Sequence, residues 1–545
     1  MENKQVARMF NELASLMELY GENPFRTRTY RNAYMSIRKL DDPILEMHAD
    51  DVISISGIGK TILSKLEEIR EAGSFKMLQE FREKTPKGIR ELLNIKGLGP
   101  KKIRQLWDEL KIESPGELLY ACEENRLLEL KGFGVKSQND IRKKMEYHLK
   151  TKAFFHLASL YLKGHEIISA IRKLNPESRI EATGAFARNS NILERIELLS
   201  DSIDLKLPPE LKLQKEAENA DKDFQDYHIE TSMPLRLYST DSLSFGTELL
   251  RRTGPVEFLD KVGFDAKAVY SDERIFFKSV GKTFVEPQYR DVAYLDGQEF
   301  EADGIIQEED IKGLIHCHTT YSDGIHTLKQ MVEHARSLGF EYILITDHSK
   351  SAFYANGLSV DRLYAQIQEI DELNAAFDDI TILKGIESDI LNNGALDYEA
   401  DVLEELDVVI ASIHSNLKMD ENKATQRLLT AIEDPHTHML GHPTGRLLLS
   451  REAYPIDHLK VIDACAANGV RIEINANPYR LDLDWRWIPY AQEKGVKICI
   501  NPDAHSMDQM KYIKYGVLSA QKGLLRKDNC LNALPVDAFL AALAK

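Results

Sequence analysis

Long apolar runs are missing from this 545-residue sequence. None approaches the roughly 18 consecutive apolar residues that a membrane-crossing helix needs, so no bilayer span is expected. The opening MENKQVARMF lacks the apolar stretch of a secretory leader. Cysteine is sparse as well. Cys122, Cys317, Cys465, Cys499 and Cys530 are scattered, odd in number and without CxxC spacing, which argues against a disulfide framework and fits reduced thiols in a cytoplasm. An excess of positive charge is the third absence: the net charge is −17, at first sight wrong for a nucleic-acid binder. The deficit is uneven. Residues 1–150 hold 27 Lys and Arg against 24 Asp and Glu, so the acidity lies in the remainder and the total says little about partners. A chain of this length should hold several compact units, about three to five.

Residues 1–150 read as almost entirely helical, with amphipathic stretches such as QVARMFNELASLMELY and TILSKLEEIREAG. Three similar phrases punctuate them: ISGIGKTILSKL (55–66), IKGLGPKKIRQLW (95–107) and LKGFGVKSQNDI (130–141). In each, a hydrophobic residue precedes Gly-x-Gly and a helix follows: Gly57 and Gly59, Gly97 and Gly99, Gly132 and Gly134. Glycine allows the tight turn, and the helix then opens with free backbone N–H groups that suit a phosphate. Lys60, Lys101, Lys102 and Lys136 add charge beside them. A backbone-reading device of this kind predicts binding that ignores base sequence and weakens steeply with salt. One Gly-x-Gly alone is as readily a plain helix–helix turn; three copies point to DNA.

Beyond residue 310, apolar β-branched runs alternate with amphipathic helices, the pattern of a parallel sheet or barrel. KGLIHCHTTYSDG brings His316 and His318 two apart, with Asp323 in the following loop. YILITDHS delivers His348, TILKGIESD Glu387, DVVIASIHS His414, MLGHPTG His442, and KICINPDAH both Asp503 and His505; RIEINAN is a further strand. Seven strands suggest a (β/α)7 barrel with one rim lined by ligands. Nine ligands are too many for one ion, so two or three are expected, and imidazole mixed with carboxylate suits Mn²⁺ or Zn²⁺, with Fe²⁺ also a candidate. His436 and His438 are expected to be loop residues, Glu473 and Asp389 to orient the histidines, and Arg446 or Lys418 to be either phosphate contacts or solvated charges.

These motifs carry a resemblance. Residues 310–545 resemble the polymerase-and-histidinol-phosphatase (PHP) domain, in whose pattern all nine ligand positions are present here. The three glycine phrases resemble helix-hairpin-helix motifs, and ENPFRTRTYRNA (22–33) resembles the small N-terminal domain of family X DNA polymerases. In that likeness Lys65 falls where some members carry a Schiff-base lysine, although a plain surface lysine reads as well. TGAFARNSNILERIELL (183–199) and SFGTELLRRTG (244–254) resemble the nucleotide-binding turn, catalytic strand and thumb turn of the same family. Gly184, Arg188, Thr253 and Gly254 match its triphosphate-binding pattern, whereas the usual serine is Ala185.

The family's metal carboxylates do not match. Two should stand at i and i+2 on one strand and a third on its neighbour; the corresponding positions are Arg195, Glu197 and Pro234. Asp201 and Asp204, three apart, would face opposite sides of a strand and cannot substitute. A palm without magnesium and without polymerase activity is therefore expected.

The resemblance to bacterial family X polymerases with a C-terminal PHP domain thus implies a multidomain α+β and α/β chain. Its expected parts are a helical DNA-end domain (1–80), a second helix-hairpin-helix domain (81–150), a degenerate palm (151–235), a thumb (236–290), a linker (291–309) and the barrel (310–545). The implied function is DNA repair by a metal-dependent 3′→5′ nuclease, with abasic-site cutting or 3′-end trimming as further activities. Glu387, Asp503 and His414 are its expected catalytic residues, and gapped, nicked or primer–template DNA its partner. A cytoplasmic monomer is expected. The competing readings are an active gap-filling polymerase with a proofreading barrel, a small-molecule phosphatase of the histidinol-phosphate type, and a DNA-binding scaffold with a structural metal cluster.

Overall fold

The computed structural model describes all residues except 2, 41, 96–97, 151–153, 210–213, 216–223, 230–232, 295–298 and 544–545. It divides into two compact units. The first comprises residues 1–122 and 134–148; the second comprises 123–133 and 149–545.

The first unit is helical. Helix Asn3–Leu19 buries Val6, Phe10, Leu13 and Met17, spaced three and four apart so that they form one face. The Asn23 side chain accepts from the Phe25 N–H and starts the next helix, Pro24–Ile37, with proline in its first turn. The glycine phrases behave as their chemistry demands. Gly57 has φ +90°, and Gly59 and Gly99 cap the N-termini of helices Lys60–Ala72 and Pro100–Leu110. Gly134 directly precedes helix Val135–Lys150. The first glycine of the second phrase, Gly97, lies outside the described residues. The expected boundary at residue 80 falls inside this unit.

The second unit begins with a sheet of five strands: β1 (Ile180–Ala182), β2 (Ile196–Ser200), β3 (Gln214–Lys215), β4 (Phe224–Ile229) and β5 (Met233–Ser239), in the order β1-β2-β5-β4-β3. Only β2 and β5 pair in parallel. Helices Phe245–Thr253, Val256–Val262 and Glu273–Ser279 follow and bury Leu250, Phe258, Phe276 and Phe277. The stretch expected as a linker is not one. Ala293, Tyr294, Phe300 and Ile305 join that aromatic core, and Ile306 enters the barrel core. Its acidic composition hides widely spaced apolar residues that carry no period.

Seven parallel strands then form a nearly closed barrel: β6 (Gly313–Cys317), β7 (Tyr342–Ile345), β8 (Thr381–Asp389), β9 (Val408–Ser412), β10 (Met439–Leu440), β11 (Arg471–Asn475) and β12 (Ile498–Asn501). They pair in chain order, and the His318 N–H donating to the Ala504 carbonyl at 2.9 Å ties the last to the first. Helices buried on one side pack outside, capped by Thr327, Ser359, Asp420 and Asp457. Palm, thumb and barrel meet at Lys522, which is buried and bonds Asp291 and the Arg188 carbonyl. All five cysteines are buried and free of disulfides. Among the described residues no helix is long and apolar enough to cross a membrane.

Candidate metal centre

The nine candidate ligands stand toward the C-terminal ends of the barrel strands or in the loops that follow them. His316 lies at the end of β6, where the register to β7 shifts between Leu314 and Cys317 and the backbone turns to φ +67°. That bulge brings both His316 and His318 to one site, with ring centroids 5.3 Å apart. His348, Glu387, His414 and His442 come from the ends of β7, β8, β9 and β10. Asp503 (φ +53°) and His505 follow β12. Asp323 arrives on a loop secured by buried Asp347, which accepts from the Thr319 and Ser322 amides at 2.8 and 3.0 Å.

Glu387 is the hub. Its Oε1 lies 3.0 Å from His442 Nε2, 3.2 Å from His414 Nε2 and 3.3 Å from His316 Nε2, and its Oε2 lies 2.9 Å from His348 Nδ1. Asp503 Oδ1 stands 3.1 Å from His318 Nε2, and Asp323 stands 3.3 Å from His505 Nε2 and 3.6 Å from His348 Nε2. All nine residues are brought together. Four overlapping groups of them have ligand atoms close enough to share an ion. The chemistry of the donors fits such ions. Buried His316 Nε2, His318 Nδ1, His505 Nε2, Asp323 Oδ2 and Glu387 Oε2 have no hydrogen-bond partner, a costly state that a cation relieves.

A second layer sets the rings. His316 Nδ1 donates to Glu473 at 2.6 Å, His414 Nδ1 to Asp389 at 2.5 Å and His505 Nδ1 to the Asp503 carbonyl at 3.0 Å. Each bond fixes a tautomer with Nε2 facing inward. Asn501 donates to Glu473 at 2.7 Å and Asn475 to Asp503 at 2.8 Å. Both asparagines end their strands, but neither is an acid or an imidazole, so nothing in the sequence marks them as part of a metal site.

Burial alone disfavours an imidazolium at His414, but the Glu387 and Asp389 carboxylates outweigh it and push the group up to about 10. His505 is pushed up to about 10 against burial by Asp323 and Asp503. His318, buried beside His505 and His348, falls to about 3. Despite burial, the surrounding histidines hold Glu387 and Asp503 well below the usual carboxylate range. A ring protonated at neutral pH must lose its proton before it can ligate. Loading with Mn²⁺ or Zn²⁺ is therefore expected to release protons and to tighten as pH rises from about 6 to about 9. Calorimetry in buffers of different ionisation enthalpy checks this; uptake without proton release would contradict it.

Other candidates fall elsewhere. Arg446 is committed to Asp484 and to the carbonyls of Arg480 and Leu481, so it holds a loop rather than facing a phosphate. Lys418 is exposed. His438 accepts from the Val409 amide at 3.1 Å, and His436 pairs with Asp434 at 3.0 Å.

The palm is a different site. Gly184 (φ +63°), Arg188, Thr253 and Gly254 are grouped, with Arg188 donating to the Thr253 carbonyl at 3.2 Å. Beside them Arg195 lies 3.8 Å from Asp226, and Arg236 grips the same carboxylate at 2.6 and 2.7 Å. The register pairs Glu197 with Arg236 and Ile196 with Leu235, one step beyond Pro234. Glu197 accepts from Tyr238 at 3.3 Å, and Asp201 is bound to Arg179 at 2.9 Å. Among the described residues, every metal-capable group of His, Cys, Asp and Glu lies in the barrel. In the helical unit, Lys65 is paired with Glu68 along its own helix. A side chain at Gly59, Gly99 or Gly134 would meet nothing within 4 Å, and Lys60, Lys101, Lys102 and Lys136 are exposed.

Comparison with known proteins agrees with this architecture. Residues 1–75 match the helix-hairpin-helix domain family, residues 89–143 the SAM-like helix-hairpin-helix tandem, and residues 315–477 the PHP domain. The barrel half is similar to a probable phosphatase of Caldanaerobacter subterraneus subsp. tengcongensis, 29% identical over 35% of this chain and 74% of that one. It is also similar to one of Shewanella sediminis, 27% identical over 42% and 92%. Over its whole length the chain is similar to the DNA polymerase/3′-5′ exonuclease PolX of Bacillus subtilis, with 33% identity covering 99% of both chains. With helix-hairpin-helix repeats in front, a five-stranded palm sheet between and a seven-stranded PHP barrel behind, the chain belongs to the bacterial family X DNA polymerases that carry a C-terminal PHP domain.

Proposed function

We propose that this member is chiefly a metal-dependent 3′→5′ DNA nuclease, and that its polymerase-like half holds gapped or nicked DNA without extending it. One contrast carries the reading: nine ligands gather in the barrel with four imidazoles on Glu387, while Arg195 and Pro234 stand where the palm needs carboxylates. Four overlapping groups of these ligands could each hold an ion: His318, Asp323, His348 and His505; His316, His318 and Asp503; His316, Glu387 and His442; His348, Glu387 and His414. Divalent ions there would activate water and stabilise the departing oxygen of a phosphodiester. Glu387, common to two of these groups, would help hold the ions of both. Asp503, fixed by Asn475, and His414, fixed by Asp389, stand at the rim to carry a proton to the leaving oxygen.

The test is digestion of a 3′-labelled primer–template by the full chain with Mn²⁺, with His414→Ala as control. Nucleotide release lost in His414→Ala supports the nuclease. Turnover of a small phosphomonoester without DNA hydrolysis would favour the phosphatase reading, which the barrel's similarity to probable phosphatases recommends.

The glycine turns and their lysines supply the grip. Each of Lys60→Ala, Lys101→Ala and Lys136→Ala is expected to weaken duplex binding uniformly across sequences and to lower the slope of log affinity against log salt by about 1. Anisotropy titrations over a salt series measure this; a loss that depended on base sequence would contradict it.

A further inference from the structure

The short segment Glu123–Phe133 belongs to the same compact unit as the barrel, although it lies within the span of the helix-hairpin-helix tandem. It turns at Asn125 (φ +56°) into one turn of 3₁₀ helix, Arg126–Glu129, and buries Leu127 and Leu130. Its anchor is the ligand loop itself: Gln509 accepts from the His505 amide at 2.6 Å and donates to the Glu123 carbonyl at 3.3 Å. This brings two charges to the rim of the metal centre. The Arg126 guanidinium lies 4.5 Å over the Tyr354 ring, and that ring packs against His348 and His414 at 6.3 and 6.4 Å. The Glu124 carboxylate sits between two guanidinium groups, 3.8 Å from Arg126 and 3.8 Å from Arg480, and Arg480 is in turn 3.8 Å from Asp503. Glu124 and Arg480 are both buried.

Both guanidinium groups stand 3.8 Å from the one Glu124 carboxylate, beyond hydrogen-bond length. The two non-bridging oxygens of a phosphodiester splay from a tetrahedral phosphorus more widely than those of a planar carboxylate, so each can meet a different guanidinium fork. We propose that Arg126 and Arg480 form a subsite for the backbone phosphate one nucleotide away from the scissile one, and that Glu124 fills it until the DNA strand displaces it. The idea rests on the phosphodiesterase reading above. A segment of the DNA-binding repeats would thereby help set which strands the nuclease accepts. No sequence pattern links these residues, since nearly two hundred positions separate Glu124 from His316.

The probe is the thymidine dinucleotide pTpT, which carries a second phosphate, compared with TpT, which does not. With the manganese-loaded full chain, Arg126→Ala is expected to raise KM for pTpT roughly tenfold, with the change falling on KM rather than kcat, and to leave KM for TpT unmoved. Glu124→Gln is expected to lower KM for pTpT several-fold, a gain that misfolding cannot produce. If both dinucleotides are cleaved but neither substitution moves KM for pTpT, the subsite is refuted and the nuclease stands. If neither is cleaved, the nuclease reading fails, and calorimetric binding of pTpT decides the subsite. Weaker binding by Arg126→Ala with tighter binding by Glu124→Gln upholds it; equal affinities overturn it.

Discussion

Glu387→Gln should lower the rate of 3′-end digestion by roughly a thousandfold or more, the largest single loss expected anywhere in the chain. Glutamine keeps the volume but removes the charge, and with it the shared anchor of four imidazoles within 2.9–3.3 Å. The effect should appear in metal content as well as in turnover, with at least one ion lost per chain by elemental analysis. Asp389→Asn offers a scale for comparison. It frees the His414 ring without touching the hub, and a supporting partner of this kind is worth about 10–100-fold. Retention of full nuclease activity and full metal content by Glu387→Gln would remove the foundation of the proposed site.

The second large effect is an absence. On a gapped duplex with Mg²⁺ or Mn²⁺, nucleotide incorporation should stay at background, because two-metal phosphoryl transfer needs carboxylates where Arg195 and Pro234 stand. Arg195→Asp alone should not rescue it. Arg236 still grips Asp226, the carboxylate beside Glu197, and so keeps it committed to a guanidinium. Gap filling that disappeared in Glu197→Ala would show that a single carboxylate suffices and would overturn the proposal.

Much of this molecule is legible in one dimension because its barrel is parallel. A strand buried on both faces reads as a continuous apolar run, so the polar residue that ends it stands out, as His348 does after YILITD and His414 after DVVIASI. The glycine phrases are legible for a similar reason: a left-handed turn leaves glycine as its mark, as at Gly57 and Gly132, both near φ +90°. What was hidden depends on distance along the chain. Tyr294, Phe300 and Ile305 follow no period, so a core segment reads as an acidic linker. Glu124 and Arg126 look like surface charges of a helical repeat until folding brings them to Tyr354 and Arg480. The bulge at His316 carries no glycine or other residue signature in LIHCH.

The left-handed backbone at His316 and Asp503 also narrows the evolutionary paths open to the centre. A non-glycine residue at such angles is held there against a conformational cost of order 1–3 kcal/mol, and β-branched side chains tolerate it worst. Drift at these two positions is therefore channelled toward Asn, Asp, His and Gly. A lineage that lost the nuclease would more readily keep the barrel through Asn or Gly there than through Val, Ile or Thr, so a silent descendant could carry an intact fold with its former ligands replaced by their closest conformational relatives.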